Sequence, residues 1–63
     1  MNIDRFYFME LWYEVHHAQM SPMIADLMAA ACNARVTTEG EHFTPESWAI
    51  RVIRRAHQLK NQS

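Results

Sequence analysis

The chain has 63 residues, of which 49% are hydrophobic and 21% charged, and its formal net charge is -1. A chain of this length forms at most one domain and buries only about 60% of its surface on folding, which leaves little room for a catalytic cleft. We therefore expect a single domain over residues 1–63, with neither enzymatic activity nor a small-molecule substrate.

The sequence is also typical of a soluble protein from a reducing compartment. Its single cysteine, Cys32, excludes an internal disulfide. Glu10 and Glu14 are among the charges that interrupt the apolar N-terminal stretch, so no uncharged run approaches the length of about 18 residues that a membrane-spanning helix requires. No basic segment precedes a cleavage site, so a signal peptide is not expected. These features predict a cytoplasmic protein that has no membrane partner.

The first helix is predicted over about residues 3–18, with Asn2 or Asp4 capping its first N–H groups. Its apolar residues form two stripes on nearly opposite sides: Phe8, Leu11, Trp12 and Val15 on one, and Phe6, Met9 and Tyr13 on the other. Two further helices cannot easily cover both stripes. The second stripe is therefore predicted to be a protein interface, either of a homodimer or with another protein. Alternatively, a small three-helix core wraps the first helix on both sides.

The second helix is predicted over about residues 22–35. Ser21 is a suitable N-cap, and Pro22 fits the first helical position, where its missing N–H costs nothing. The β-branched segment Val36–Thr38 and the turn residues after it predict that the helix ends near Arg35, followed by a loop of about eight residues. The residues expected to face the core recur at helical spacing: Ile24, Leu27, Met28 and Ala31.

The third helix is predicted over about residues 45–60, because Thr44-Pro45 repeats the cap-then-proline signal. Its core stripe recurs at three- and four-residue steps: Trp48, Ala49, Val52, Ile53, Ala56 and Leu59. The predicted fold is therefore an all-α, three-helix domain that dimerises through its first helix.

The third helix also carries a basic face. Its polar residues at helical spacing are Arg51, Arg54, Arg55 and Gln58, with Lys60 near the end. Guanidinium and amide groups on one helix face can contact DNA phosphates and base edges, so a DNA-binding regulator is the alternative function. An eight-residue link before the helix and a pI of about 6.4 argue against it. A solvated surface near the negative helix end, or a contact for an acidic protein, would use the same residues.

Residues with catalytic or metal-binding chemistry form no recognisable motif. His16 and His17 are adjacent, so they point about 100° apart on a helix and cannot easily share one metal ion. We expect both at the surface near the end of the first helix, and Cys32 as a small core residue. The only glycine, Gly40, excludes a Gly-rich phosphate loop. We therefore predict no catalytic residue, no cofactor and no metal site.

Two segments carry a resemblance to a known family: MNIDRFYFMELWY at the start, and WAIRVIRRAH near the end. The chain resembles the small open-reading-frame proteins of the exo–xis region of lambdoid bacteriophages over its whole length, in size and general character. That family has no diagnostic catalytic or ligand motif, so no functional residue is carried over. The resemblance implies an early-expressed helical regulatory protein in the host cytoplasm, which biases phage development between lysis and lysogeny. Its partner would be a host protein or a second copy.

Overall fold

A computed structural model describes residues 2–39 and 43–62 of the chain. They form three helices: α1 (Arg5–His16), α2 (Pro22–Glu39) and α3 (Pro45–Asn61). Each helix packs against both of the others, and the described ranges contain no strand. The predicted all-α, three-helix domain is therefore confirmed.

Each helix begins at the cap that the sequence predicts. The Asp4 carboxylate accepts the N–H of Tyr7 at 2.9 Å, and the Ser21 hydroxyl lies 3.5 Å from an N–H in the first turn of α2. At the start of α3, Thr44 and Ser47 form a capping box, in which each side chain accepts the backbone N–H of the other residue. Thr44 Oγ1 accepts the N–H of Ser47 at 3.1 Å, and Ser47 Oγ accepts the N–H of Thr44 at 3.2 Å. These bonds satisfy N–H groups that have no partner within their own helix.

Helix α1 is shorter than the predicted 3–18 at both ends. It begins at Arg5 because Asp4 is the cap, and it ends at His16. His17 takes the left-handed conformation, with φ 55° and ψ 34°, and donates its N–H to the carbonyl of Tyr13 at 2.8 Å. A residue in this conformation just after the last turn closes a helix, which is a role that glycine usually fills.

Helix α2 is longer than predicted, because it continues through the β-branched segment to Glu39. The prediction of an end near Arg35 was wrong. Valine and threonine in a helix cost at most about 0.7 kcal/mol each relative to alanine, which is too little to end a helix by itself. The connection to α3 is therefore at most the five residues 40–44, instead of about eight. Helix α3 agrees with its predicted range to within one residue.

The core lies between the three helices and combines three large side chains with four small ones. Its buried members are Ile3, Phe8, Ala25, Ala29, Cys32, Ala49 and Ile53. Phe8 and Ile53 are fully enclosed, and the alanines let the helix backbones approach each other closely. The prediction that Cys32 is a small core residue is confirmed, since it is only 1% exposed.

The face that α2 turns to the core is not the predicted one. Ala25, Ala29 and Cys32 point inward, whereas Ile24 and Leu27 are exposed. The predicted residue Met28 is half-buried against the core, and Ala31 is exposed. Helix α2 has apolar residues on every side, so periodicity does not select one face. The inward face is the one with small residues, because Phe8 and Ile53 already occupy the space between the helices.

The segment before α1 is attached to α2 by one side chain. The Asn33 side-chain oxygen accepts the N–H of Ile3 at 2.9 Å, and its amide nitrogen donates to the carbonyl of Ile3 at 3.0 Å. The amide thus pairs both backbone groups of Ile3, whose side chain is only 8% exposed.

Replacing Asn33 with alanine should lower the free energy of unfolding by about 1–2 kcal/mol, because both backbone groups of Ile3 lose their partner. Urea unfolding followed by circular dichroism would measure the change. The control is Asn61→Ala in the exposed last turn of α3, with an expected effect below about 0.5 kcal/mol. Equal unfolding midpoints for the two variants would contradict the role of Asn33.

Candidate interaction surfaces

The side of α2 that points away from the core is apolar along its length. We call it the outer face of α2, and its residues are Met23, Ile24, Leu27, Ala30, Ala31 and Ala34. Met23 is 72% exposed and Leu27 67%. The helical period places Asp26 and Arg35 at the two edges of this face, so no charge interrupts its centre. Apolar residues therefore lie on two sides of α2, and the domain covers only one of them.

Helix α1 exposes two of the three residues predicted as an interface. Phe6 is 65% exposed and Tyr13 53%. Met9, the third, is half-buried and packs against the core, so it is not on the side opposite to Phe8 as predicted. The exposed apolar surface of α1 is therefore smaller than the sequence indicated, and the larger one lies on α2.

Arg5 connects the two exposed regions. Its guanidinium carbon lies 5.0 Å from the centre of the Phe6 ring, and its Nη1 lies 3.3 Å from Oδ2 of Asp26. Asp26 lies at one edge of the outer face of α2, so the ion pair places Arg5 at that edge. Both members of this ion pair are about half exposed, and such pairs contribute little to stability. Its effect is to connect the start of α1 to the edge of the outer face of α2.

The basic face of α3 lies where the sequence predicts it. Its four residues with helical spacing are all exposed: Arg51, Arg54, Arg55 and Gln58. They lie opposite Ala49 and Ile53, which are the buried residues of the helix. Lys60 is also exposed, but it follows Ile53 by seven residues and so lies on the other side of α3. The structure therefore brings together four of the five predicted residues.

Trp48 extends the basic surface to α2. The guanidinium carbon of Arg35 lies 4.4 Å from the centre of the Trp48 ring, and that of Arg51 lies 5.4 Å away. Both distances are within the range of a cation–π contact. Arg55 donates to the side-chain oxygen of Gln58 at 3.4 Å. Arg35 was missed from the sequence because it was placed at the end of α2, and only the packing shows that it reaches α3.

These residues border an open depression of about 890 Å³. The described residues that line it all belong to α3 and include Trp48, Leu59 and the three arginines. Leu59 was predicted to be in the core, but it is 52% exposed. The surface therefore combines positive charge with apolar area.

His16 is buried, which corrects the prediction that it lies at the surface. It is 8% exposed, and its Nε2 lies 3.0 Å from the carbonyl oxygen of Ile53. Because a carbonyl only accepts, Nε2 carries the proton and donates. The ring stacks on Trp12 with centres 3.7 Å apart, and it meets His57 edge-on at 5.3 Å. His16 thus fastens the end of α1 to α3, whereas the adjacent His17 is exposed.

Cys32 is enclosed in the core, and burial raises the pKa of its thiol above the ordinary value. We therefore expect a thiol reagent at pH 8 to modify the native chain slowly and the urea-unfolded chain rapidly, because the thiolate is the reactive form. The release of a chromophore from the reagent would measure both rates. The unfolded thiol ionises first as the pH rises, so alkaline pH should also favour unfolding.

A second thiol provides the internal control for this measurement. In an Asn61→Cys variant the new thiol lies in the exposed last turn of α3, away from the outer face of α2, and it should react at the rate of an unfolded cysteine. Native Cys32 reacting as fast as the new thiol would contradict its enclosure.

The described ranges provide no candidate for a metal site or a membrane span. No group of three or more His, Cys, Asp or Glu side chains among these residues could hold a metal ion. None of the helices, as far as the structure describes them, is long and apolar enough to cross a bilayer.

Comparison with known proteins identifies no relative of this chain. No protein-family model matches it, and neither a curated protein nor a solved structure is significantly similar to it. The resemblance to the exo–xis proteins of lambdoid phages, and the regulatory role in the host cytoplasm that it implies, therefore stay predictions.

Proposed function

We propose that this chain is a non-enzymatic binding protein, which docks onto another protein through the outer face of α2 together with Phe6. The observation that supports this proposal is that α2 has more apolar residues than the domain buries. Apolar residues lie on two sides of the helix, but the domain covers only the side of Ala25, Ala29 and Cys32. Large exposed apolar patches on soluble proteins usually mark interaction surfaces.

The energetics of a small domain favour the same conclusion. Burying the exposed part of Met23 or of Leu27 in a partner contributes roughly 1–2 kcal/mol for each side chain. A chain of 63 residues has a small core of its own, so a partner also supplies stability that the isolated domain lacks. If the chain is the phage regulator that its resemblance implies, it acts on development through this contact.

Photocrosslinking in cells that express the chain tests the proposal. A photoreactive phenylalanine analogue replaces Leu27 in one variant and Gln58, on the exposed side of α3, in the matched control. We expect Leu27 to give a discrete product that contains a second polypeptide, and the control to give none. Equal yields at the two positions, or no product from Leu27, would overturn the proposal.

A second candidate function is DNA binding through α3. The observation that favours it is the exposure of Arg51, Arg54 and Arg55 on one face, next to the guanidinium group that α2 places on Trp48. The link before α3 is also shorter than predicted, which weakens one argument against a helix-turn-helix arrangement. The net charge of -1 opposes it, because the acidic remainder of the domain repels DNA over a long range.

Salt dependence tests this second candidate. If the three arginines contact phosphates, replacing all of them with alanine should reduce the slope of log K against log salt by about 2.7. Lys60→Ala is the control, since Lys60 lies off the basic face and its removal should leave the slope unchanged. No amide shift in residues 47–60 on titration with duplex DNA at low salt would exclude the DNA function.

A further inference from the structure

We propose that the occupant of the outer face of α2 is the same face of a second copy, paired in antiparallel orientation about a twofold axis. This inference rests on the proposed function and names its partner. It is carried by the order of large and small residues along the face, by the area of the face, and by the positions of the charges at its edges.

The outer face is divided into a bulky half and a small half. The first half holds Met23, Ile24 and Leu27, which project far from the helix and are 72%, 46% and 67% exposed. The second half holds only alanines. An antiparallel twofold reverses the direction of the partner helix, so the bulky half of each copy lies over the small half of the other. A parallel pair would instead oppose bulky residues at one end and leave a gap at the other.

The spacing of four of these residues fits a single register, which pairs Met23 and Leu27 with alanines and leaves Ile24 opposite Asn33 of the partner subunit. A twofold axis that crosses α2 between residues 28 and 29 places Met23 opposite Ala34 of the partner subunit. The same axis places Leu27 opposite Ala30 of the partner subunit. Both pairs are centred on the same point of the sequence, so one axis satisfies them together. Alanines at a helix crossing allow axes to approach to the lower part of the usual range of about 8–10 Å.

The area is sufficient for a specific dimer of modest affinity. Complete burial of the exposed side chains of the face would remove roughly 500 Å² in each copy, or on the order of 1,000 Å² in total, which is the lower limit for a biological interface. We therefore expect a dissociation constant in the micromolar range, on the order of 1–100 μM.

The edges of the face bring no unpaired charge into the contact. Asp26 is already paired with Arg5 of its own copy, and the guanidinium group of Arg35 lies on Trp48. Both groups keep their partners when a second copy covers the apolar centre. The cost of desolvating an isolated charge, which opposes many helix pairings, therefore does not arise at this face.

Sedimentation equilibrium of the full chain and of two matched variants tests the dimer. Leu27→Lys places a charge at the centre of the contact, and Leu59→Lys makes the same change at an exposed leucine on α3. We expect a wild-type dimer, an increase of the dissociation constant on the order of 100-fold or more for Leu27→Lys, and no change for Leu59→Lys. Ala30→Glu repeats the test should the lysine variant fail to fold, and circular dichroism verifies folding in each case.

Disulfide trapping tests the orientation. A Met23→Cys copy mixed with an Ala34→Cys copy should give mostly the mixed disulfide dimer under mild oxidation, because the two positions meet only in the antiparallel register. Buried Cys32 provides a slow background. A majority of either like-with-like dimer would overturn the antiparallel arrangement.

The outcomes separate this inference from the proposed function. A wild-type monomer at about 1 mM, or a dimer that Leu27→Lys leaves intact, would overturn the α2 pairing. If photocrosslinking from Leu27 then yields a different polypeptide, the docking function stands with another partner. If it yields no product, both proposals fail.

Discussion

Replacing Phe8 with alanine is expected to destabilise the domain severely. Phe8 is fully buried at the centre of the core, where a Phe→Ala change typically costs about 3–5 kcal/mol in transfer energy and cavity. Domains have roughly 0.05–0.15 kcal/mol of stability per residue, so this chain has on the order of 3–9 kcal/mol in all. The substitution therefore removes a large part of the total. Thermal unfolding followed by circular dichroism at 222 nm would show it.

Phe6 supplies the matched control for this substitution. It precedes Phe8 by two residues on the same helix, but it is 65% exposed. Phe6→Ala should change the free energy of unfolding by less than about 0.5 kcal/mol at low protein concentration, where a dimer contact does not contribute. Similar losses for the two variants would mean that Phe8 is not the centre of the core.

Replacing Ile53 with alanine is the second change with a large expected effect, about 2–5 kcal/mol. Ile53 is 0% exposed and lies on α3 between the two other helices. Its carbonyl also accepts the bond from His16, so a cavity at this position loosens the stack of His16 on Trp12. We expect a lower urea midpoint together with a change in tryptophan fluorescence.

Two further variants make the Ile53 prediction specific. Ile53→Val removes one methylene and should cost about 0.5–1.5 kcal/mol. The loss of stability should therefore be smaller for the valine variant than for the alanine variant. Leu59→Ala removes a side chain of the same size from a half-exposed position on the same helix, and it should cost much less. A cost for Leu59→Ala equal to that for Ile53→Ala would contradict the assigned core.

The starts of the helices could be predicted from sequence because each depends on a few adjacent residues. Asp4, Ser21 and Thr44 have side chains that bond to N–H groups within the next turn, so neighbouring residues contain all the necessary information. The end of α2 is a different case. Propensity favours an end near Arg35, but the cost of the following β-branched residues is too small to end the helix by itself.

The orientation of α2 could not be predicted, because its apolar residues surround the helix. Periodicity selected Ile24 and Leu27 for the core, whereas the space left by Phe8 and Ile53 admits only the smaller Ala25 and Ala29. Which face is inward depends on the volumes of residues far away in the chain. The main candidate surface was therefore missed, since it consists of residues that the pattern assigned to the interior.

The candidate residues on α3 were easier to predict. Its apolar and charged residues fall on separate sides, so the exposure of Arg51, Arg54 and Arg55 follows from spacing alone. His16 was misplaced for a local reason. The sequence gives no sign that α1 ends at that residue and that His17 alone turns outward in the left-handed conformation.

The hydrogen bond between His16 and the carbonyl of Ile53 joins residues that are 37 positions apart in the chain. It therefore cannot form until Ile53 has been synthesised. At about 5–20 residues per second, roughly 2–7 s pass between the synthesis of His16 and that of its partner. Contacts in a three-helix domain form in microseconds to milliseconds once all helices are present. During synthesis, Phe8 on α1 therefore lacks the cover that α3 provides. The rate of translation determines how long this incomplete core is exposed to aggregation.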